Sequence, residues 1–324
     1  MARPVKWGII STADINRKVI PGAHASDEID LVAVASRDRQ RADEYAKHWE
    51  IPRAFGTYED LLADPEIEAV YISLPNTMHC DWSIRALEAG KHVLCEKPLS
   101  RHPDEVAAAF DTADRTGLLL SEAFMYRHSP QTKRLQQLVA EGAIGQLRLV
   151  RSVFSYSLYD HDNIRLRTDV EGGALMDVGC YNVSGSRLLA GEPERAFGEA
   201  WFGPSGTDWV FAGTLRFPDD VLAVFHCGTA LPNHDELEVI GSEGSLFLDD
   251  PWHCNSPTIE LRREGEVERI DVPHEDSYRL ELENVSAAIR GEGDLLLGRA
   301  DAMGQARTLE ALHESATSGS PVSL

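Results

Sequence analysis

Short apolar runs separated by charged, helix-spaced stretches dominate the first third of the chain. Val5–Ile10 (VKWGII), Ile29–Ala35 (IDLVAVA), Ala69–Leu74 (AVYISL), His92–Cys95 (HVLC) and Leu118–Leu120 have strand length and lack the period-two alternation of a half-exposed strand. Between them Arg39–Trp49, Asp81–Ala89 and Asp104–Thr116 carry charges at helical spacing. Gly90 and Gly117 stand just before the next apolar run, where helix C-caps belong. Strands alternating with helices predict βαβ units with right-handed crossovers, hence a doubly wound parallel α/β sheet.

The pattern changes after about Phe124. Gln131–Glu141 reads as a helix, Leu147–Ser157 as a long alternating strand and Gly173–Leu189 as a second helix. Arg195–Phe202, Trp209–Phe217, Leu222–Thr229, Glu236–Gly241 and Ser245–Leu248 read as strands joined by turns such as GPSGTD and GSEG, a hairpin signature. Two helices, Tyr278–Arg290 and Arg299–Ser315, close the chain. The expectation is a first domain over residues 1–124 and an α+β domain with an open, mainly antiparallel sheet over residues 125–324, its terminal helix packing back on the first. No repeat and no flexible linker marks the boundary.

Composition narrows the function. The 324 residues suit two domains, and 43% hydrophobic with 26% charged residues is ordinary globular composition. Thirty-one basic against 53 acidic side chains give a net charge of −22. That charge repels phosphate backbones and anionic lipid, so neither nucleic acid nor membrane is an expected partner. An anionic cofactor needs only a local nest of donors and stays allowed. The charge fits a halotolerant origin and plain solubility equally. The five cysteines have no CxxC spacing and an odd count, and no run of about 18 apolar residues occurs, which points to a cytoplasmic protein without zinc sites or a disulfide framework.

Candidate chemistry begins after the first strand. A dinucleotide site places G-x-G-x-x-G there; this chain has Ser11-x-Ala13-x-x-Asn16, with Thr12 and Ile15 in the same turn. Small residues at the first two positions permit a tight turn and a pyrophosphate at the helix N-terminus. Alone, the turn fits an ordinary strand–turn–helix equally well. At the end of the second strand, where NAD sites hold the ribose with an acid, stand Ser36 and Arg37. That pair suits a 2′-phosphate, with Asp38 as helix cap; the alternative is an exposed arginine at a helix start. Lys97 directly follows an apolar strand, a costly place for a lysine without a task, and Asp177 and Tyr181 stand four apart on one helical face.

The segments AGKHVLCEKPL (89–99), GGALMDVGCY (172–181), PNTMH (75–79) and EAFMYRHSPQ (122–131) together resemble the glucose–fructose oxidoreductase / inositol dehydrogenase (Gfo/Idh/MocA) family. The resemblance runs from about Lys6 to the terminal helix. It implies an N-terminal Rossmann domain, an α+β domain whose outer sheet face makes subunit contacts, and NAD(P)-dependent oxidation or reduction of sugars or related alcohols. By motif, the chain is similar to the NADP-linked branch containing D-xylose and trans-dihydrodiol dehydrogenases. Two departures stand out: the reduced glycine fingerprint at Ser11/Ala13, and Tyr181 where other members carry histidine.

With that resemblance, Lys97, Tyr181 and Asp177 are the catalytic candidates: Tyr181 as general acid/base, Lys97 as its electrostatic helper and Asp177 toward substrate. Either Tyr181 or Lys97 moves the proton. Ser11, Thr12, Ala13, Ile15, Ser36, Arg37, Ser73, Pro75, Asn76, Glu96 and Lys97 are the cofactor candidates. The cofactor is NADP, with NAD as the alternative, and the substrate a small polyhydroxylated pyranose or related cyclic alcohol. No metal is expected, because His234-Asp235-Glu236 lacks helical ligand spacing and reads as a turn. Arg127 and Arg165 face substrate hydroxyls or pair with acids. The expected assembly is a homodimer or homotetramer. Two rival functions remain: a nicotinamide-dependent glycosidase, and a non-catalytic NADP-binding sensor.

Overall fold

The early apolar runs become the strands of a parallel sheet. β1 (Val5–Ile10), α1 (Asn16–His24), β2 (Ile29–Ala35), α2 (Arg39–His48), β3 (Arg53–Phe55), α3 (Tyr58–Leu62), β4 (Ala69–Ile72), α4 (His79–Glu88), β5 (His92–Glu96), α5 (Pro103–Thr116) and β6 (Leu120–Ala123) follow in turn. The strand order is β3-β2-β1-β4-β5-β6, and every neighbouring pair is parallel. Trp7, Ile9, Val34, Tyr71 and Leu94 fill the core beneath Val19 and Ile20 of α1. β1 sits between β2 and β4, so the connections diverge there and open a crevice at the strands' C-terminal ends. Register makes those ends level: Ile10 lies beside both Ala35 and Ile72.

The rest of the chain builds a nine-stranded sheet. Its elements are α6 (Pro130–Ala140), β7 (Leu147–Ser157), α7 (Cys180–Ala190), β8 (Arg195–Phe202), β9 (Asp208–Arg216), β10 (Leu222–Gly228), β11 (Ala230–Gly241), β12 (Ser245–Leu248), β13 (Thr258–Arg263) and β14 (Glu266–Asp271), then α8 (Ser277–Ile289), α9 (Arg299–Ser318) and β15 (Val322–Ser323). The order is β14-β13-β12-β11-β7-β10-β9-β8-β15, antiparallel throughout except for the β7–β10 pair.

This computed structural model describes residues 3–160 and 162–324. Contacts divide it into two compact units: Met1–Met125 with Asp276–Met303, and Tyr126–Glu275 with Gly304–Leu324. The sequence suggested one cut near residue 124; the contacts cut the chain three times. The physical cause is α8. Its Leu282 and Val285 join the core around Trp7, whose indole N–H donates to Ser286 Oγ at 3.1 Å, and Ser26 Oγ donates to Glu283 at 2.8 Å. Gly22 of α1 lets α8 approach, since a Cβ there would lie 2.9 Å from the Arg279 amide nitrogen.

Three local expectations are corrected. The sixth strand is Leu120–Ala123, because Gly117 takes φ +70° and the Leu118 amide still donates back to Ala113. His234, Asp235 and Glu236 lie inside β11 opposite Ser155, Phe154 and Val153, not in a turn. The helix expected over 173–189 opens as a wider π turn, Leu175–Gly179, before α7. The short β3 and α3 and the polar hairpin β13–β14 carried too little apolar signal to register.

Candidate functional site

The loop after β1 forms without its glycines because side-chain hydrogen bonds hold it. Ser11 adopts φ +112°, a region that favours glycine. Its hydroxyl donates to the Ser73 carbonyl at 2.8 Å and accepts from the Ala13 amide at 3.1 Å. Asn16, fully buried where the third glycine of the fingerprint would stand, donates from Nδ2 to the Ser11 carbonyl at 3.0 Å. Its Oδ1 accepts from Ser73 Oγ at 2.7 Å. The structure thus joins Ser11 and Ser73, the residues following β1 and β4, on the two sides of the crevice. No acid occupies the first turn of α1, which leaves that helix end suited to an anion. Thr12, Ala13 and Ile15 line the turn, half-buried.

The end of β2 is basic. Ser36 is buried and Arg37 exposed. Asp38 caps α2, accepting from the Arg41 amide at 3.0 Å. Arg41, absent from the sequence candidates, reaches the Thr12 carbonyl through its guanidinium at 3.4 Å. Burial pushes the Tyr58 phenol up, opposed by Arg37, which also hydrogen-bonds it, and by Arg41. Two guanidinium groups therefore lie near the end of β2, one bonded to Tyr58 and the other to the Thr12 carbonyl, where an NAD site would keep a carboxylate. The signal available in the sequence was the third arginine of SRDRQR, four residues after Arg37.

Beyond β4 and β5 the loops are locked together. His79 opens α4 fully buried, its ring nitrogens 2.8 and 2.7 Å from the carbonyl oxygens of Pro98 and Leu74. Burial lowers its pKa, the two carbonyls oppose that, and Lys97 adds to the lowering. Pro75, Asn76, Glu96 and Lys97 are all half-buried at this end of the sheet. The Lys97 amide donates to Glu96 Oε2 at 3.3 Å, and the Tyr71 hydroxyl donates to Glu96 Oε1. Behind them lies Glu281 of α8, 2% exposed, whose Oε1 has no hydrogen-bond partner among the described residues. Burial, and then the Glu96 charge, raise the Glu281 pKa well above the usual carboxylate range. Of two carboxyls so placed, one stays protonated. Glu281, fully buried, is the one pushed toward the protonated form. No periodicity marks such a residue; an acid on the apolar face of a helix was the sole cue.

In the second unit the motif GGALMDVGCY spans the π turn and the start of α7. Asp177 is a mostly buried carboxylate that accepts from Tyr156 Oη at 2.5 Å and from Arg165 Nε at 3.1 Å. The Tyr156 phenol is raised by burial and then by the Asp177 charge. Tyr181 is 9% exposed, its ring centroid 5.3 Å from Phe154, 5.8 Å from Tyr126 and 6.0 Å from Trp252. Arg127 is buried beside Ser184, whose hydroxyl also meets Tyr126 at 2.7 Å. Asp177 and Tyr181 thus share one short segment, with Tyr156 and an aromatic wall that the sequence reading missed.

Asp235, Asp250 and His253 gather their ligand atoms within 4.8 Å of one another. His253 Nδ1 lies 2.7 Å from Asp235 and 3.5 Å from Asp250, and the hydrogen bonds it makes to both carboxylates raise the imidazole to about 9. All five cysteines are buried and outside any disulfide.

A βαβ crevice with an acid-free helix start, a basic end to β2 and a lysine at the third loop defines a dinucleotide-dependent oxidoreductase. Residues 5–124 match the oxidoreductase family with an NAD-binding Rossmann fold, and residues 132–247 match the GFO/IDH/MocA C-terminal domain. The chain belongs to the Gfo/Idh/MocA family. It is 39% identical to an uncharacterised oxidoreductase from Rhizobium meliloti, over 97% of this chain and 98% of that one. It is 38% identical to D-xylose 1-dehydrogenase (NADP(+)) 2 from Haloferax volcanii, over 98% and 99%. A 3-ketoreductase from Actinomadura kijaniata, solved with NADP and TDP-benzene, superimposes with TM-score 0.91 at 28% identity, over 96% of this chain and 98% of that one. No helix among the described residues is long and apolar enough to cross a membrane.

The Ser11 network is directly testable. Ser11→Ala keeps the unfavourable φ but strands the Ala13 amide, and should cost about 1–3 kcal/mol in urea unfolding. Ser11→Gly loses the same hydroxyl but relieves the backbone and should cost less. An alanine variant as stable as the glycine variant would refute the role given to this side chain.

Proposed function

We propose that the protein is an NADP-preferring dehydrogenase/reductase of sugars or closely related cyclic alcohols and ketones. The observation that carries the cofactor choice is the pair Arg37 and Arg41 at the end of β2, with Asp38 turned away as a helix cap. The full-length likeness to an NADP(+)-linked xylose dehydrogenase supports the substrate class. Bound nicotinamide dinucleotide supplies or takes the hydride. This chain's residues do the rest. Ser11, Thr12, Ala13, Ile15 and the α1 amides hold the pyrophosphate, and Ser36, Arg37 and Arg41 hold the 2′-phosphate. Ser73, Pro75, Asn76 and Glu96 hold the nicotinamide riboside.

In this reading Tyr181 moves the proton to or from the substrate oxygen. A phenol exchanges protons near neutral pH only with help from positive charge, which Lys97 supplies. Asp177, fixed by Tyr156 and Arg165, orients substrate hydroxyls. The Rossmann part binds cofactor, and the α+β part binds substrate and assembles subunits in a cytoplasmic homodimer or homotetramer. The outer face of the nine-stranded sheet supports the assembly. It exposes Trp201 and Leu222 and a groove of about 350 Å³ lined by Arg151, Val224, His226, His234, Glu236 and Glu238.

Three measurements test the proposal. The ratio of kcat/KM for NADP over NAD should favour NADP by about 10–100-fold, and Arg37→Ala or Arg41→Ala should each reduce it about tenfold, since a charge-assisted hydrogen bond is worth ~1.5–3 kcal/mol. A preference for NAD, or arginine variants with an unchanged ratio, defeats the cofactor assignment. On a panel of aldoses, ketosugars and dihydrodiols read by NADPH absorbance, Lys97→Ala and Tyr181→Phe should each lower kcat ~10²–10⁴-fold. NADPH binding should stay within about tenfold, and the double variant should be little worse than the poorer single one. Near-normal turnover in Tyr181→Phe hands the proton role to Lys97 or to a water. Sedimentation should give a multiple of 35.8 kDa; a single-chain mass at micromolar concentration sinks the assembly.

A further inference from the structure

The segment bearing Asp177 and Tyr181 has no side-chain cap of its own at its N-terminal end. An uncapped start leaves amide donors without partners. Here a distant acid meets them. Asp208, the first residue of β9, accepts the Leu175 amide on Oδ2 at 2.7 Å and also bonds the Ala174 amide. The preceding turn is shaped around it. Gly173 has φ +128°, and a Cβ there would collide with Asp208 Oδ1. The Gly173 carbonyl in turn accepts the Asp177 amide at 2.9 Å. One residue thus touches both the anchor and the backbone of a proposed site residue. The second glycine of the GG pair has a stated steric reason: it admits the carboxylate.

The anchor is costly to keep. Asp208 is 8% exposed, and no ion pair to it is present among the described residues. The titratable group facing it is the Cys227 thiol of β10, which burial keeps neutral and which Asp208, Cys180 and Asp177 all push further up. Burial raises the Asp208 carboxyl to about 7, against the pull of the backbone amides. Folding therefore opposes its ionised form. The unfolded carboxyl titrates near 3.8, so the folded state holds the extra proton between there and about 7, and stability falls as pH rises across that window. An uncharged side chain would relieve this cost and lose the doubly accepting anchor.

We propose that Asp208 is a positioning residue, whose carboxylate fixes the first turn of the segment carrying Asp177 and Tyr181 and so sets where those two groups point. The inference rests on the site assignment above. Asp208→Asn keeps the shape and one acceptor oxygen. At pH 8 its kcat should fall ~10–100-fold, the size expected for a small misplacement of reacting groups. NADPH affinity, read by fluorescence titration, should stay within twofold, and the urea midpoint should equal or exceed that of the wild type. A merely structural role would lower turnover and stability together, and that result overturns the proposal.

The wild type supplies a second reading that needs no variant to fold. Between pH 8 and 6 its kcat should decline while its unfolding midpoint rises; trends of the same sign refute the idea. Tyr181→Phe measured in parallel separates the two failures. A normal Asp208→Asn rate beside a crippled Tyr181→Phe removes only the Asp208 role. A normal Tyr181→Phe rate takes the proton step away from Tyr181, and this inference, which positions that residue, falls with it.

Discussion

Everything at the cofactor end depends on a backbone conformation that serine disfavours. Ser11 must leave β1 at φ +112° for the chain to turn into α1 across the crevice. Glycine would take that angle freely. Here the angle is held by the Ser73 carbonyl, the Ala13 amide and the buried Asn16. The same bonds fix Ser73 at the end of β4, so strain at one loop becomes order at its neighbour. His79 continues the chain of constraint by joining the Leu74 and Pro98 carbonyls, and it thereby places the backbone next to Lys97. A reduced glycine fingerprint is thus an exchange of conformational freedom for side-chain hydrogen bonds, and the pyrophosphate-sized turn survives it.

Buried carboxyls mark the second cost. Glu281, Asp208 and Asp235 all have raised pKa values, with burial as the first cause in each. Asp235 is rescued by His253, a half-exposed cation within hydrogen-bonding reach. Among the described residues no ion pair reaches Glu281, whose carboxyl the Glu96 charge also raises, and Glu96 lies one residue from Lys97. Nor, among the described residues, does one reach Asp208, which accepts the Leu175 amide at the start of the Asp177 segment. Acids kept in the interior without a counter-ion reduce stability. Their position directly behind the proposed chemistry in each unit gives that loss a functional reason.

Much of this was legible in the sequence. The buried strands β1, β2, β4 and β5 announced themselves because a doubly covered strand is a continuous apolar run, and Gly90 and Gly117 punctuated the helices between them. Ser36, Arg37 and the cap role of Asp38 followed from position alone. What escaped did so for physical reasons. β3 and the β13–β14 hairpin are short or polar, and their pairing is supplied by neighbours rather than by their own pattern. The return of residues 276–303 to the first unit is encoded in long-range packing, in the fit of Gly22 to Arg279 and of Trp7 to Ser286, which no local window contains. Tyr156, Trp252 and Asp208 act from strands and loops remote in sequence from the motif they support. Periodicity cannot report a partner that lies 21 or 33 residues away.

The cofactor assignment shows how a local arrangement overrides a global charge. A chain with net charge −22 should repel a dinucleotide carrying an additional phosphate. Exposed charges farther than a Debye length, about 8–10 Å at physiological salt, are largely screened, so the near residues decide. Near the crevice the acids are diverted. Asp14 pairs with Arg17, Asp43 pairs with Arg39, and Asp38 accepts the Arg41 amide. Arg37 then bonds Tyr58, a phenol packed edge-on against Trp82 at 4.9 Å, while Arg41 reaches the Thr12 carbonyl. A rigid backing matters because a guanidinium loses less entropy on binding phosphate when its partners already limit its freedom. Acidity elsewhere on the surface is screened from the site, so the proposed preference for a 2′-phosphate rests on two arginines rather than on the balance of fifty-three acids against thirty-one bases.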